Sequence, residues 1–415
     1  MRNNHQMADI TNCRSSGTPL TVVLDLGLQP LGNGFRRPDD DSPEYTFWLR
    51  CGYSEESRLF QLIEQPDPAM MFHDDYAFRS STSGAMRAHF HAHAEQIIEQ
   101  GWGSVADPFI VELGCNDGIW LRNFADRGIR HAGIEPAKGP GQAASDVGVR
   151  VVTEFFTAEL AARLAADNGP AELIYAANVM CHIPDIRGVA QGVAALLSDD
   201  GLLVFEDPYL GDVISLGSYD QIYDEHVFLF SALSVQSIFE DFGLELVDLE
   251  PLATHGGSMR YSLGRRGRRQ PSDRVASILA AEREQALDRT ATFLAFAERV
   301  RSSAAALLAV LTEARAEGRS VAAYGATSKS TTIYTYAGIT SEHIDYILDN
   351  TPNKIGKVSP GARIPVVAES EFELRRPDVT FLSAWNHQRE ILQHHPWYAS
   401  QGGVWLTHVP DVHML

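Results

Sequence analysis

Cysteine is scarce in this 415-residue chain: Cys13, Cys51, Cys115 and Cys181 are scattered, and no disulfide framework can be read from them. Positive charge is also short. Against 54 acidic residues stand 34 Lys and Arg, a net charge of −20, which argues against non-specific nucleic-acid binding. A local cationic pocket for a small anionic ligand stays open, because an acidic protein can still concentrate positive charge in one cleft. No uninterrupted apolar run approaches the roughly 20 residues a spanning helix needs. The start, MRNNHQMADI, has no basic region followed by an apolar stretch, so no signal peptide is expected and a cytoplasmic protein without membrane or nucleic-acid partners is the reading. The three-glycine spacing of a dinucleotide fingerprint, G-x-G-x-x-G, is missing too. What remains is ordinary globular composition, long enough for about two to four domains.

Four segments follow from the patterning. Residues 1–73 hold short alternating runs such as Thr21-Val22-Val23-Leu24 and Tyr45-Thr46-Phe47-Trp48-Leu49, broken by Gly and Pro, and read as a small β-rich domain. Residues 74–265 alternate strand and helix, with strands expected at 109–113, 131–135, 149–153, 173–176 and 202–206. Such alternation implies a parallel sheet covered on both faces. Two further runs at 244–249 and 258–263, joined by a short connection, predict an antiparallel pair. Residues 266–318 read as a helical connector: from 271 to 317 they are rich in Ala, Leu, Glu and Arg, a break is expected near 288–290, and Phe293, Phe296, Val300, Leu307 and Leu311 form a helical stripe. Residues 319–415 repeat the strand–loop–helix logic, which suggests a second doubly wound domain and an old duplication. The fold class is α/β.

The most informative segment is Glu112-Leu113-Gly114-Cys115-Asn116-Asp117-Gly118, which follows the apolar Phe109-Ile110-Val111 and opens a helix-like stretch. Glycine permits the tight turn and close approach of a ligand to the backbone. The acidic-x-Gly-x-x-x-Gly pattern resembles the S-adenosylmethionine loop of Rossmann-type methyltransferases, in which Glu112, Gly114, Asn116, Asp117 and Gly118 would contact the cofactor. Glu135, about 20 residues on at the end of the next strand, is placed to accept ribose hydroxyls. Phe155 and Phe156 are expected to flank the adenine, and Asn178 to lie near the methionine end.

The densest group of titratable residues is Tyr219-Asp220-Gln221-Ile222-Tyr223-Asp224-Glu225-His226, in the loop system after the fifth strand. His182, after the fourth strand, is expected in the same cleft. Histidine is the side chain whose ordinary pKa suits proton removal near neutral pH. The turn Thr327-Ser328-Lys329-Ser330 opens a helix and suits a diphosphate, with Arg79, Ser81 and Asn386 as further substrate contacts.

Along nearly its whole length the chain resembles the three-domain nucleotide-sugar C-methyltransferases of antibiotic deoxysugar pathways. The segments that carry the resemblance include Asp25-Leu26-Gly27-Leu28-Gln29-Pro30-Leu31, Tyr76-Ala77-Phe78-Arg79-Ser80-Ser81, the 112–118 turn and Asn178-Val179-Met180-Cys181-His182-Ile183-Pro184. Tyr223-Asp224-Glu225-His226, Thr254-His255-Gly256-Gly257-Ser258, Tyr324-Gly325-Ala326-Thr327-Ser328-Lys329, Pro360-Gly361 and Ala384-Trp385-Asn386 continue them in order. The resemblance implies three domains enclosing a nucleoside-diphosphate 4-keto-deoxysugar. It also implies His226 as the base, Tyr76, His182, Tyr223 and Glu225 along the cleft, and S-adenosylhomocysteine as coproduct. The expected reaction is proton removal beside the ketone, enolate formation, and attack of the carbon on the cofactor's methyl. Glu225 is expected to orient His226 or raise its basicity. A monomer or weak homo-oligomer suffices for such an enclosed site.

The resemblance fails at the metal. The family carries two Cys-x-x-Cys pairs near the N-terminus, whereas this chain reads Cys13-Arg14-Ser15-Ser16 and Ser54-Glu55-Glu56-Ser57. Three of four thiolates become hydroxyls, poor zinc ligands, and Cys51 or His5 would substitute only with rearrangement, so no tightly bound zinc is expected. Rival readings are an O- or N-methyltransferase acting on a sugar or polyketide, a nicotinamide-dependent sugar oxidoreductase, and a catalytically silent binding protein.

Overall fold

The computed structural model describes residues 11–71, 79–103 and 105–415. Three sheets organise them. The N-terminal sheet is antiparallel, with β1 (Thr21–Pro30), β2 (Thr46–Ser54) and β3 (Leu59–Leu62) in sequence order. Its fourth strand arrives from far along the chain: β9 (Phe228–Leu229) pairs Phe60 with Leu229 and Gln61 with Phe228. That strand begins two residues after His226. A two-residue apolar strand has no periodicity, so no pattern in the chain announces it.

The central sheet contains β4 (Phe109–Leu113), β5 (Arg130–Ile134), β6 (Val151–Val152), β7 (Ala171–Ala177), β8 (Leu197–Pro208), β10 (Leu244–Leu252) and β11 (Ser258–Arg265). Its order is β10-β11-β8-β7-β4-β5-β6. β4 to β8 run parallel and the β10–β11 pair is antiparallel. β4 is buried along its whole length, as a strand covered on both faces must be. Because β5 lies on one side of β4 and β7 on the other, strand order reverses there and opens a crevice at the strands' carboxyl ends. Among the covering helices are α1 (Gly84–Gln100), α2 (Ala158–Asn168), α3 (Ile186–Leu196) and α4 (Ala232–Glu240), each begun by a side-chain cap from Ser83, Thr157, Asp185 or Ser231.

The connector is two helices, α5 (Asp273–Glu284) and α6 (Thr290–Ala316), and the interruption falls where the sequence places it. The stripe Phe293, Phe296, Val300, Leu307 and Leu311 is buried. It does more than separate domains. Leu49 and Phe60 of the N-terminal sheet, Tyr219 and Ile222 of the loop before His226, and Val321 and Phe381 of the C-terminal sheet join it in one hydrophobic core.

The C-terminal sheet has β12 (Val321–Tyr324), β13 (Tyr346–Asp349), β14 (Val366–Ala368), β15 (Val379–Leu382), β16 (Val404–Thr407) and β17 (His413–Met414), ordered β14-β13-β12-β15-β16-β17. All neighbours are parallel except β17. Helix α7 (Ser328–Ala337) follows the Gly325 turn. Asp349, ending the second strand of this unit, accepts the amides of Ala326 (2.6 Å) and Thr351 (2.7 Å). Glu135, ending β5, does the same for Asn116 (3.0 Å) and Ala137 (2.9 Å). The two units thus share a turn-to-acid geometry. Among the described residues no helix is long and apolar enough to cross a membrane.

Candidate active site

The crevice at the end of β4 is a glycine cradle ringed by acids. Gly114 has φ +63, and a Cβ there would stand 2.3 Å from Val179 Cγ2. Gly118 has φ +76, and a Cβ would come within 3.1 Å of the backbone at Ala144. Neither position has room for a side chain. Glu112 is 3% exposed, and its Oε2 has no hydrogen-bond partner among the described residues; nor has Oδ1 of Asp117. Burial first, then the charges of Asp117 and Glu135, push the Glu112 carboxyl well above the usual range. Burial also raises Glu135, against its two amide bonds and the charge of Arg79. A close backbone turn, a fixed acid and two buried oxygens lacking donors suit a ligand that brings hydroxyls and positive charge. S-adenosylmethionine brings both.

The segment over this cradle is 79–82. Ser80 N–H donates to Asn116 Oδ1 (3.1 Å) and Ser81 N–H to Asp117 Oδ2 (3.0 Å). Arg79 and Ser81, expected on the substrate, adjoin the Asn116–Asp117 turn. Phe156 is a core residue whose ring lies 3.0 Å from where a Cβ on Gly192 would be, and Phe155 is exposed. Asn178 adopts φ +54, and its Nδ2 donates to His255 Nε2 (3.3 Å).

Across the cleft stands His226, 5% exposed. Its Nδ1 lies 2.7 Å from the carbonyl oxygen of Gln221. A carbonyl only accepts, so Nδ1 carries the proton and the neutral ring keeps its lone pair on Nε2. Burial, then the neighbouring His182 and Lys329, hold His226 well below the usual histidine range, against the pull of the Gln221 carbonyl. His182 is lowered to about 4 by burial and Lys329, and its ring centroid is 5.3 Å from that of His226. Tyr223 lies 4.3 Å away, ring to ring. The structure thus brings together His226, Tyr223, His182 and Lys329. Tyr76 lies outside the described residues, as does His5.

Glu225 accepts from Asn33 Nδ2 (2.8 Å), and the backbone carbonyl of Gln221 holds the Nδ1 side of His226. Gln221 carries no sequence signal for this, since any residue supplies a carbonyl. Its side chain in turn donates to the carbonyl of His255 (2.7 Å). Lys329, expected at a diphosphate, lies in the first turn of α7, and the charges of Asp220, Cys181 and Glu225 oppose the lowering that burial imposes on its ammonium. Thr327 caps α7 by accepting from Ser330 N–H (3.0 Å), Ser328 lies against Gly32, and Asn386 sits in the turn packed on residues 254–256.

The former metal positions do converge. Cys13 Sγ lies 3.1 Å from Ser57 Oγ, Ser16 Oγ 3.5 Å from Ser54 Oγ, and Thr18 Oγ1 within 2.7 Å of Ser16 and 3.2 Å of Ser54. One thiol and hydroxyls engaged with one another do not fit a zinc ion, which needs four good donors. Cys51 is buried in β2.

Three family models match in succession: "Putative zinc binding domain" over residues 13–72, "Methyltransferase domain" over 91–249 and "C-methyltransferase C-terminal domain" over 253–410. Magnesium protoporphyrin IX methyltransferase from Synechocystis PCC 6803, solved with bound SAM, is similar over 43% of this chain and 79% of its own, with a TM-score of 0.33 and 12% identity. The PH0226 protein from Pyrococcus horikoshii OT3 is similar over 46% of this chain and 95% of its own, with a TM-score of 0.36 and 11% identity. C-methyltransferase NovU from Streptomyces niveus is 32% identical over 97% of this chain and 96% of its own. Matched end to end and through all three segments, the chain belongs to the three-domain S-adenosylmethionine-dependent C-methyltransferases.

Proposed function

We propose that the enzyme methylates a carbon next to the ketone of a nucleoside-diphosphate 4-keto-6-deoxysugar, with dTDP as the carrier, in the assembly of a secondary-metabolite sugar. The observation that carries this reading is the buried, neutral His226, whose proton is fixed on Nδ1 by the Gln221 carbonyl. A carbon acid needs an unprotonated base held still, and Nε2 is one. S-adenosylmethionine, when bound, supplies an electrophilic methyl on sulfonium. Glu112, Asp117, Glu135, Gly114, Asn116, Gly118 and Asn178 are the residues that would hold it. His226 takes the proton from the carbon beside the ketone. Negative charge then grows on the ketone oxygen, where hydrogen bonds from Tyr223, Tyr76 or His182 and the Lys329 ammonium stabilise it; removal of one such donor typically costs about 10²–10³ in rate. Thr327, Ser328 and Asn386 serve the nucleotide side. Closure by three domains keeps out the water that would return the proton. On this reading the enzyme works in the cytoplasm, as a monomer or weak homo-oligomer.

The test is incubation with a dTDP-4-keto-6-deoxysugar in deuterated water, first without the cofactor. Deuterium entering beside the ketone, followed by a carbon-bound methyl once the cofactor is added, is the expected result. His226→Gln should slow exchange by about 10²–10⁴, the usual contribution of a positioned base, while binding of S-adenosylmethionine is retained. A methyl on oxygen or nitrogen without exchange would overturn the enolate scheme and favour a heteroatom methyltransferase.

A further inference from the structure

The loop that carries His226 is held from outside the domain it belongs to. Asp220 is 1% exposed. Trp385 Nε1–H donates to its Oδ2 (2.8 Å), and His408 Nε2, fully buried, lies 3.5 Å from its Oδ1. Both partners belong to the C-terminal sheet's loops. Although burial alone would raise Asp220, the contacts with His408, the Lys329 ammonium and Trp385 keep it below the usual carboxylate range. Taking a carboxylate out of water costs several kcal/mol unless its partners are well placed. A fold that needed only packing would put an apolar side chain here.

Asp220 adjoins Gln221, whose carbonyl sets the proton on His226 and whose amide grips His255. Trp385 also closes on the 254–256 turn: a Cβ on Gly256 would come within 2.2 Å of its ring. We infer that Asp220 is a positioning residue, clamped by Trp385 and His408 of the C-terminal sheet's loops, that fixes the Gln221 carbonyl and so holds the lone pair of His226 toward the substrate. The C-terminal domain is then part of the base, beyond any part it has in holding the nucleotide. The proposal rests on His226 being the base, and the experiment separates the two.

The experiment compares wild type, Asp220→Asn, Trp385→Phe and His226→Gln. Each is assayed for deuterium exchange, kcat, KM and its pH profile, and for the His226 tautomer by long-range ¹H–¹⁵N NMR. Asp220→Asn keeps the shape and removes the charge. It should lower kcat and the exchange rate at least tenfold, change KM less than threefold, and shift the His226 signal from a single Nδ1–H tautomer to a mixture. Loss of the nearby negative charge should also lower the basicity of His226, so the acid limb moves to lower pH. The Lys329 ammonium and the rings of His182, His255 and His408 are the groups left around it. Trp385→Phe keeps an aromatic ring against Gly256 and should give a smaller loss in the same direction. It also carries the test if Asp220→Asn fails to fold. A folded Asp220→Asn or Trp385→Phe enzyme with unchanged kcat, pH profile and tautomer overturns the clamp. Undiminished exchange in His226→Gln overturns the base assignment instead, whatever Asp220 does.

Discussion

The Gln221 carbonyl and the burial of His226 set how this enzyme should respond to pH. On the proposed mechanism His226 works only when neutral, and burial with His182, Lys329 and His255 around it depresses its pKa below the ordinary value of about 6.5. Lowering the pH through 6.5 should therefore leave kcat/KM level, with the acid limb appearing only below that. An unperturbed limb near 6.5 in the pH–rate profile would contradict it. The same shift bears on stability with a definite sign. A histidine whose folded pKa is depressed costs nothing above its unfolded pKa, and its contribution is lost as pH falls below about 6.5, where the unfolded chain gains a proton that the folded one refuses. Gly114 makes a second claim at this scale. Alanine there meets Val179 at 2.3 Å and must also adopt φ +63. Gly114→Ala should weaken S-adenosylmethionine binding at least tenfold by calorimetry, and Val179→Ala added to it should recover part of the loss by removing the clash but not the backbone strain.

The elements legible in the sequence were those with period and length. β4, β12 and β16 fall where alternation or short apolar runs put them, the β10–β11 hairpin is antiparallel as its short connection requires, and the apolar stripe marked α6. β9 and β14, of two and three residues, carry no pattern and depend on partners distant in sequence. The site divides the same way. Glu112, Gly114, Glu135 and His226 were legible because turn, strand end and residue type coincide. Gln221 meets His226 through its backbone, Asp220 pairs with Trp385 more than 150 residues away, and Phe156 packs in the core; none of these leaves a local trace. Helix α5 is the sharpest case. As sequence it is a spacer, yet Glu282, fully buried, accepts the amides of Ala232 (2.7 Å) and Leu233 (2.8 Å) at the start of α4 and the hydroxyl of Tyr209 (2.9 Å). It satisfies the helix terminus of another element, a place where negative charge is favoured. Glu282→Ala orphans those donors and should cost about 2–4 kcal/mol in urea denaturation, since each buried group left unpaired costs about 1–3 kcal/mol. Activity at low temperature should survive, because the bonds of Glu282 run to Tyr209 and the start of α4.

For the molecule as a whole the question is what stabilises the N-terminal domain once its metal donors have become hydroxyls. The core shared by the N-terminal sheet, α6 and the C-terminal sheet answers it. Tyr53 packs on Phe293 at 4.2 Å and hydrogen-bonds the Leu287 carbonyl (2.9 Å), and Phe60 packs on Phe293 at 5.5 Å. Burying a large apolar side chain is worth about 1.5–3 kcal/mol, so several such contacts match what a small domain otherwise draws from a metal. At the old metal positions, the Cys13–Ser57 and Ser16–Thr18–Ser54 bonds satisfy the polar atoms without an ion. Chelation by EDTA or phenanthroline should therefore leave the melting temperature within about 1 °C, because one thiol and its hydroxyl neighbours are poor donors for zinc. Phe293→Ala, by contrast, should cost about 3–5 kcal/mol and loosen the N-terminal and C-terminal sheets together, in one calorimetric transition. Restoring thiols at Ser16, Ser54 and Ser57 should return one tightly held zinc per chain, because the four positions already converge, and should make the melting temperature sensitive to chelator. Zinc retained stoichiometrically by the unaltered enzyme, with a fall in melting temperature on chelation, would show instead that a single thiol and its hydroxyl neighbours suffice.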